Sequence, residues 1–285
     1  MMQKIHLNAI VFMMAFLSIL KPVMAEDQQT WIKEGKAALA KAKMLQPNNK
    51  KAKNIILFIG DGMGVSTVTG SRIFEGQHRG IDGERNKLAF EKLPYVALSK
   101  TYSANQQTPD SAPTMTAIVT GVKTNDGVLS LNQNVQRGEA SNAVIEANKV
   151  HTILEQAGAY GLSTGIVSTA RITHATPAAT YAHISNRDWE NNSELPTTAI
   201  DSGLKDIALQ LLEQVHKTKG LQVILGGGRQ QFMPTSVTDP EYQYKTGLRT
   251  DGRDLIEEFL AVTGGSYIWH KQQFDAIDPK KQRTC

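Results

Sequence analysis

The stretch Asn54–Gly64, Asn-Ile-Ile-Leu-Phe-Ile-Gly-Asp-Gly-Met-Gly, decides how the chain is read. Its five consecutive apolar residues, Ile55 to Ile59, are too few for a core helix and suit a buried strand. The run then breaks at Gly60, Gly62 and Gly64, with Asp61 between the first two. Glycine allows a sharp turn and a close approach to the backbone. Ligands of open α/β sheets sit beyond the carboxyl ends of strands. Asp61 therefore has two readings, a metal ligand at a strand end or the N-cap of the helix that follows.

Outward from this stretch, strands and helices alternate. Residues 65–76 suit a helix and 77–87 a polar loop, followed by a strand over Tyr95–Tyr102. Thr108–Ala117 crowds small and hydroxyl residues, with a helix from Ala112, Pro113 in its first turn and Gly121 as its stop. Ser111 then sits at a helix N-terminus, where free N–H groups favour an anion; plain capping by Asp110 or Ser111 is the competing reading. A helix over 140–157 precedes a strand over Leu162–Ser168 and a polar strand-end loop, Arg171 to Pro177. Apolar residues 178–184 suggest a helix leading to Asn186 and Arg187, and Leu204–Leu212 is an amphipathic helix. Leu221–Leu225 reads as a buried strand closed by Gly226, Gly227 and Gly228. Residues 234–252 are loop-like, Leu255–Val262 helical, and Tyr267–Trp269 the start of a strand. Such alternation implies an α/β fold with a mainly parallel sheet covered on both faces.

Composition narrows the class. The 285 residues are 40% hydrophobic and 20% charged, enough chain for a sizeable core. The net charge is +4, and the one basic block, Lys50, Lys51 and Lys53, reads as a solvated connector and not as a nucleic-acid site. Residues 1–25 have the layout of a secretory signal peptide, with Lys4 before an uncharged apolar run from Leu7 to Leu20 and a small residue, Ala25, before Glu26 and Asp27. Removing them leaves a charge of +2 and no membrane-spanning segment, so an exported protein, periplasmic or extracellular and bacterial, is expected. The single cysteine, Cys285, allows no intramolecular disulfide. Residues 26–50 hold an N-terminal helix, apolar on one face through Trp31, Ile32, Gly35, Ala38, Leu39, Ala42 and Leu45 and ended by Pro47; residues 51–285 form the main domain.

The strand ends collect Asp61, then Asp110 and Ser111, then His174 and Thr176, with Arg187 close by in sequence. A serine hydroxyl is a nucleophile, an arginine fork grips two phosphate oxygens, and carboxylate and hydroxyl oxygens suit hard cations. Together they describe phosphoryl transfer through a serine.

The segments NIILFIGDGMG, TPDSAPTMTAIVTGVKT, VSTARITHATPAATYAHISNRDW and VILGGG resemble the alkaline phosphatase family, in its order and spacing, from about Ala52 to about Pro279. The resemblance implies a three-layer α/β sandwich with two Zn²⁺ and one Mg²⁺ at one sheet edge. It implies Asp61 bridging Mg²⁺ and one Zn²⁺, Ser111 as nucleophile and zinc ligand, Thr176 as a Mg²⁺ ligand, His174 beside that third metal, and Arg187 holding the substrate phosphate. The implied reaction is hydrolysis of small phosphate monoesters through a phosphoserine, and the family's habit raises a homodimer.

The sequence departs from the family downstream, where a Glu, Asp-His segments and a further His supply zinc ligands. No Asp is followed directly by His in this chain, and its seven histidines form no close pair. A C-terminally incomplete domain is expected, with a cut sheet, uncovered apolar surface, weak Zn²⁺ affinity and low activity. Two alternatives stay open: a non-catalytic phosphate- or metal-binding remnant, and a phosphodiesterase or sulfatase of the same superfamily. A dinucleotide site fits poorly, because Gly60, Gly62 and Gly64 are spaced G-x-G-x-G.

Overall fold

A computed structural model describes residues 28–46, 48–217 and 221–278. The expected signal peptide, the helix stop at Pro47 and the tail ending in Cys285 lie outside them. The chain divides into two compact units, Met1–Val96 and Ala97–Cys285.

In the first unit, α1 spans Gln28–Lys43 and α2 spans Val65–His78. No residue of α1 is buried; Trp31 and Leu39 are both more than half exposed. A bidentate Arg72–Glu91 pair ties α2 to the turn at Phe90–Lys92. The expected buried strand at Ile55–Ile59 is not formed. These residues belong to no strand and are exposed, Phe58 at 91%. A flat apolar run becomes a strand only when neighbours complete its ladder and cover its faces, and among the described residues it has none. Tyr95–Tyr102 likewise forms no strand, with Val96 and Leu98 almost fully exposed. Both segments are extended apolar surface of the kind that promotes association.

The second unit is built on two parallel strands, β1 (Thr164–Arg171) and β2 (Leu221–Gly227). Their register sets Ile166 opposite Ile224 and Arg171 opposite Gly227. Helices flank them: α3 (Ser111–Thr120), α4 (Asn142–Ala147), α5 (Ile153–Ala159), α6 (Ala175–Ala178), α7 (Thr197–Asp201), α8 (Ile207–Lys217), α9 (Leu255–Thr263) and α10 (Lys271–Asp275). This is an α/β arrangement, as the alternating pattern implies. One core cluster joins Ala112, Met115 and Val119 of α3 to Leu129, Ile145, Ile184, Trp189 and Ile207.

Several boundaries differ from the sequence pattern. The helix expected over 140–157 is two helices. The Asn148 side chain bonds back to the Val144 carbonyl, Lys149 bridges to Leu131, and Thr152 opens α5 with a capping box to Glu155. The helix expected over 178–184 is not formed: the single turn α6 ends at Ala178, residues 179–181 are a turn, and Ile184 pairs antiparallel with Leu129. The helix expected at Leu204–Leu212 begins at Ile207, because Asp206 accepts the Leu209 N–H and caps it. Tyr267–Trp269 forms no strand.

A buried polar group joins α5 to this core. The Glu155 carboxylate accepts from His183 Nε2 at 2.9 Å, from the Gln214 amide at 2.6 Å and from the Thr152 N–H at 2.9 Å. Burial alone would raise its pKa; the bonds to His183, Thr152 and Gln214 outweigh it and hold the group at about 2, below its ordinary 4.5. The carboxyl therefore contributes stability above about pH 4.5 that is lost as pH falls through about 2. Urea midpoints are expected to drop over that window, and Glu155→Gln to flatten the drop. An equally steep drop in the variant would assign the acid sensitivity elsewhere.

Candidate active site

Ser111 is the first residue of α3, and Asp110 is its cap, accepting the Ala112 N–H at 2.8 Å. Pro113 has no N–H. The backbone donors of this helix end are thus largely committed, and attraction for an anion falls mainly to a side chain. Asp110 is itself held from behind: its N–H donates to Asp126 Oδ1 at 2.9 Å, and the Asp126 N–H donates to Asn105 Oδ1 at 2.8 Å. At the other end, Gly121 closes α3 in the left-handed region, φ 75°.

Arg187 supplies that side chain. Its Nη1 donates to Ser111 Oγ at 3.0 Å and lies 3.2 Å from Asp110 Oδ2. Its Nη2 lies 3.0 Å from His174 Nε2. Arginine has only donors, so Nε2 accepts, and the proton on the neutral ring would sit on Nδ1. The Arg187 N–H donates to the Gly127 carbonyl at 2.8 Å. Gly127 has φ +74°, the left-handed region that glycine adopts without strain.

His174 follows the end of β1 and leads into α6, where Thr176 is the second residue. This loop is anchored by Glu190. The Arg171 guanidinium donates to both Glu190 oxygens, the Thr173 hydroxyl donates at 2.5 Å, and Tyr181 Oη donates to the Ile172 carbonyl at 2.8 Å. Burial alone would raise the Glu190 pKa, but the bonds from Arg171 and Thr173 outweigh it and lower it, so the group stays anionic beneath the loop.

The structure therefore brings Ser111, Arg187 and His174 together, with Thr176 two residues beyond His174. Asp61 belongs to the first unit, exposed in a tight turn in which Gly62 has φ +67°. It is not the cap of α2: that position is Gly64, and α2 has no side-chain cap. The capping alternative for Asp61 is thus corrected. Sequence reasoning missed Asp126 and Glu190; it counted Asp110 among the strand-end polar groups and as a cap, without its contact to Arg187. Asp126-Gly127 is a turn dipeptide and could have been noticed; Glu190 carries no local signal, since its partners lie 17 and 19 residues away.

The donors do not close a metal site. Among the described residues, no group of three or more His, Cys, Asp or Glu is placed to hold a metal ion. The His174 Nε2 lone pair faces Arg187, so it cannot serve a cation at the same time.

A profile of the alkaline phosphatase family matches residues 52–285. The chain belongs to the alkaline phosphatase family. It is 43% identical to an alkaline phosphatase of Gadus morhua over 267 residues, covering 91% of this chain and 55% of that protein. It is 42% identical to the tissue-nonspecific isozyme of Gallus gallus, covering 91% and 50%. This alkaline phosphatase family member thus spans about half the length of the curated relatives it matches. Among solved structures, the cold-active alkaline phosphatase of a Shewanella species aligns with a TM-score of 0.53 at 28% identity, over 77% of this chain and 42% of that one. The Thermus thermophilus alkaline phosphatase aligns with a TM-score of 0.53 at 23% identity over 77% and 36%, a likeness of fold alone. No described helix is long and apolar enough to cross a membrane.

Proposed function

We infer that the chain supplies the nucleophile and the phosphate grip for hydrolysis of small phosphate monoesters. The observation that carries this is the Ser111 hydroxyl 3.0 Å from Arg187 Nη1 at the start of α3. In this reading Arg187 exchanges its bonds to Asp110 and His174 for two phosphate oxygens, a bidentate grip that fits its planar fork. Ser111 Oγ attacks phosphorus in line and gives up its proton to solvent; the Oγ–P bond forms, the P–O ester bond breaks, and the leaving oxygen takes a proton from water. Water then forms the new P–O bond and loses a proton, the Oγ–P bond breaks, and Ser111 Oγ is reprotonated as inorganic phosphate leaves. Asp110 sits beside both groups, held by Asp126, and orients Arg187 before substrate arrives.

The family's Zn²⁺ and Mg²⁺ belong to this proposal. Asp61, Ser111, His174 and Thr176 would be this chain's donors to them. Because the described donors do not complete a site, turnover by these residues alone is expected to be weak. Export to a periplasm or exterior, pairing as a homodimer and indifference to nucleic acids complete the proposal.

The test compares rates on monoester, diester and sulfate ester with both metals supplied, and traps the enzyme with acid during monoester turnover. Phosphate recovered on Ser111, with the monoester preferred, supports the reading. Inorganic phosphate binding without any phosphoserine would favour a non-catalytic binder, and a diester or sulfate preference the other superfamily activities.

Arg187→Lys keeps the charge and loses the fork. Its affinity for inorganic phosphate is expected to fall about ten- to a hundredfold, the loss of one charge-assisted bond. Calorimetry with inorganic phosphate measures it; an unchanged affinity would move the phosphate site elsewhere.

A further inference from the structure

We propose that His183 is a positioning residue that locks the segment carrying Arg187 in register with the helix carrying Ser111. The inference rests on the phosphoserine reading of the same site.

The link runs through residues 127–130. Gly127 accepts the Arg187 N–H at 2.8 Å, and Leu129 and Ile184 exchange both backbone bonds at 2.9 and 3.0 Å. This short ribbon fixes where Arg187 stands. Its far end, Ser130, reaches α3: the Ser130 N–H donates to Thr116 Oγ1 at 2.9 Å, and both residues are fully buried. Thr116 is five residues beyond Ser111 on the same helix. Ser130 is thus the joint between the nucleophile's helix and the segment that carries Arg187.

Ser130 is also the only non-glycine residue with positive φ among the described residues, at 47°. That conformation is uncommon for a side-chain-bearing residue and persists where surroundings over-determine it. Four bonds do so here. Besides Thr116, the Ser130 hydroxyl donates to the Ala179 carbonyl at 2.6 Å. The Ser130 carbonyl accepts the Val150 N–H at 3.1 Å and faces His183 Nδ1 at 2.8 Å. The His183 ring is held from its other side by Glu155 at 2.9 Å, and its backbone N–H by the Gln210 side chain at 2.8 Å. The ring bridges the Ser130 carbonyl on one side and the Glu155 carboxylate on the other, and so holds the joint between two fixed oxygens. His183 touches neither Ser111 nor Arg187 in any hydrogen bond described, and it lies four residues before Arg187. Its effect on chemistry must pass through Ser130.

A loosened joint leaves Arg187 able to hold phosphate but lets Ser111 drift from the line of attack, and a displacement near 1 Å costs about a hundredfold in rate. The test is rapid acid quench of the full chain with 4-nitrophenyl phosphate, counting phosphoserine per folded molecule, beside calorimetry with inorganic phosphate. His183→Phe, which fills the space and donates nothing, is expected to slow Ser111 phosphorylation about a hundredfold while phosphate affinity moves less than about threefold. His183→Gln, whose amide can still donate to Ser130, should recover part of the rate. Ser130→Gly keeps the backbone shape without strain, so it folds even where His183→Phe does not, and it should slow phosphorylation as well through loss of the Ala179 anchor. Leu211→Ala, a buried leucine of α8, is the control for stability alone, and its rate per folded molecule should match wild type. If wild type forms phosphoserine and both His183→Phe and Ser130→Gly phosphorylate at its rate, the positioning role is overturned and the function stands. Loss of rate and affinity in equal proportion overturns it too, since that is the mark of a structural role. A wild-type chain that never forms phosphoserine overturns the function and this inference with it.

Discussion

Ser111→Ala is expected to leave no acid-stable phosphate on the chain and to lower monoester turnover at least about a thousandfold. The expectation is sharp because the hydroxyl does little else. Asp110 caps α3, and the backbone bonds of this turn survive the change; the one side-chain bond lost is that from Arg187. Alanine is a good helix former, so stability should change by less than about 1 kcal/mol. With Nη1 released from Oγ, inorganic phosphate should bind as well as before or better. The combination of retained fold, retained phosphate binding and absent phosphoserine separates a nucleophile from a binding residue. Phosphate recovered on the variant, on Thr114 or another hydroxyl, would sink the assignment even with turnover reduced.

The parts of this molecule that were legible in its sequence are those whose cause is local. Pro113 and Gly121 bracket α3, and both do so for reasons of backbone geometry. The strands at β1 and β2 end in polar or glycine-rich loops and lie where the apolar runs place them. The break between α4 and α5 was also local: Thr152 and Glu155 have the spacing of a capping box, a start signal inside a run that periodicity alone reads as one helix. The strand at Ile55–Ile59 fails for the opposite reason. Apolar runs report that a segment can be buried, while strand formation needs a neighbour that supplies hydrogen bonds. In the site, Ser111, His174 and Arg187 stood out as chemistry-bearing residues at element ends, and they do meet. Their supports did not stand out. Asp126, Glu190 and the left-handed Ser130 act through contacts across the fold, and no spacing encodes those.

Arg249→Ala should give the largest loss of stability, about 3–5 kcal/mol. The guanidinium is fully buried and forks onto Asp206, Nη1 to Oδ1 at 3.0 Å and Nη2 to Oδ2 at 3.1 Å, and Asp206 is itself only 1% exposed. Removing the arginine leaves that carboxylate without its counter-charge in the interior. The carboxylate cannot simply turn to solvent, because its Oδ1 also caps α8 through the Leu209 N–H. The penalty is a large share of the roughly 5–15 kcal/mol that holds an ordinary domain together. It corresponds to a fall in melting temperature of about 10 °C or more for a unit of this size. Asp251, the second acid on Arg249, is 28% exposed, and Asp251→Ala should cost only about 1 kcal/mol, since solvent already screens that pair. The decisive comparison is the double variant Arg249→Met, Asp206→Asn. It leaves no unpaired charge at this position, yet asparagine keeps an acceptor for Leu209, so it should recover more than half of the single variant's loss. Urea unfolding followed through the buried Trp189, whose carbonyl accepts the N–H of the first residue of α8, reads the affected region directly. A double variant as unstable as Arg249→Ala would show that the loss comes from the missing side-chain volume, and that the stranded charge contributes little.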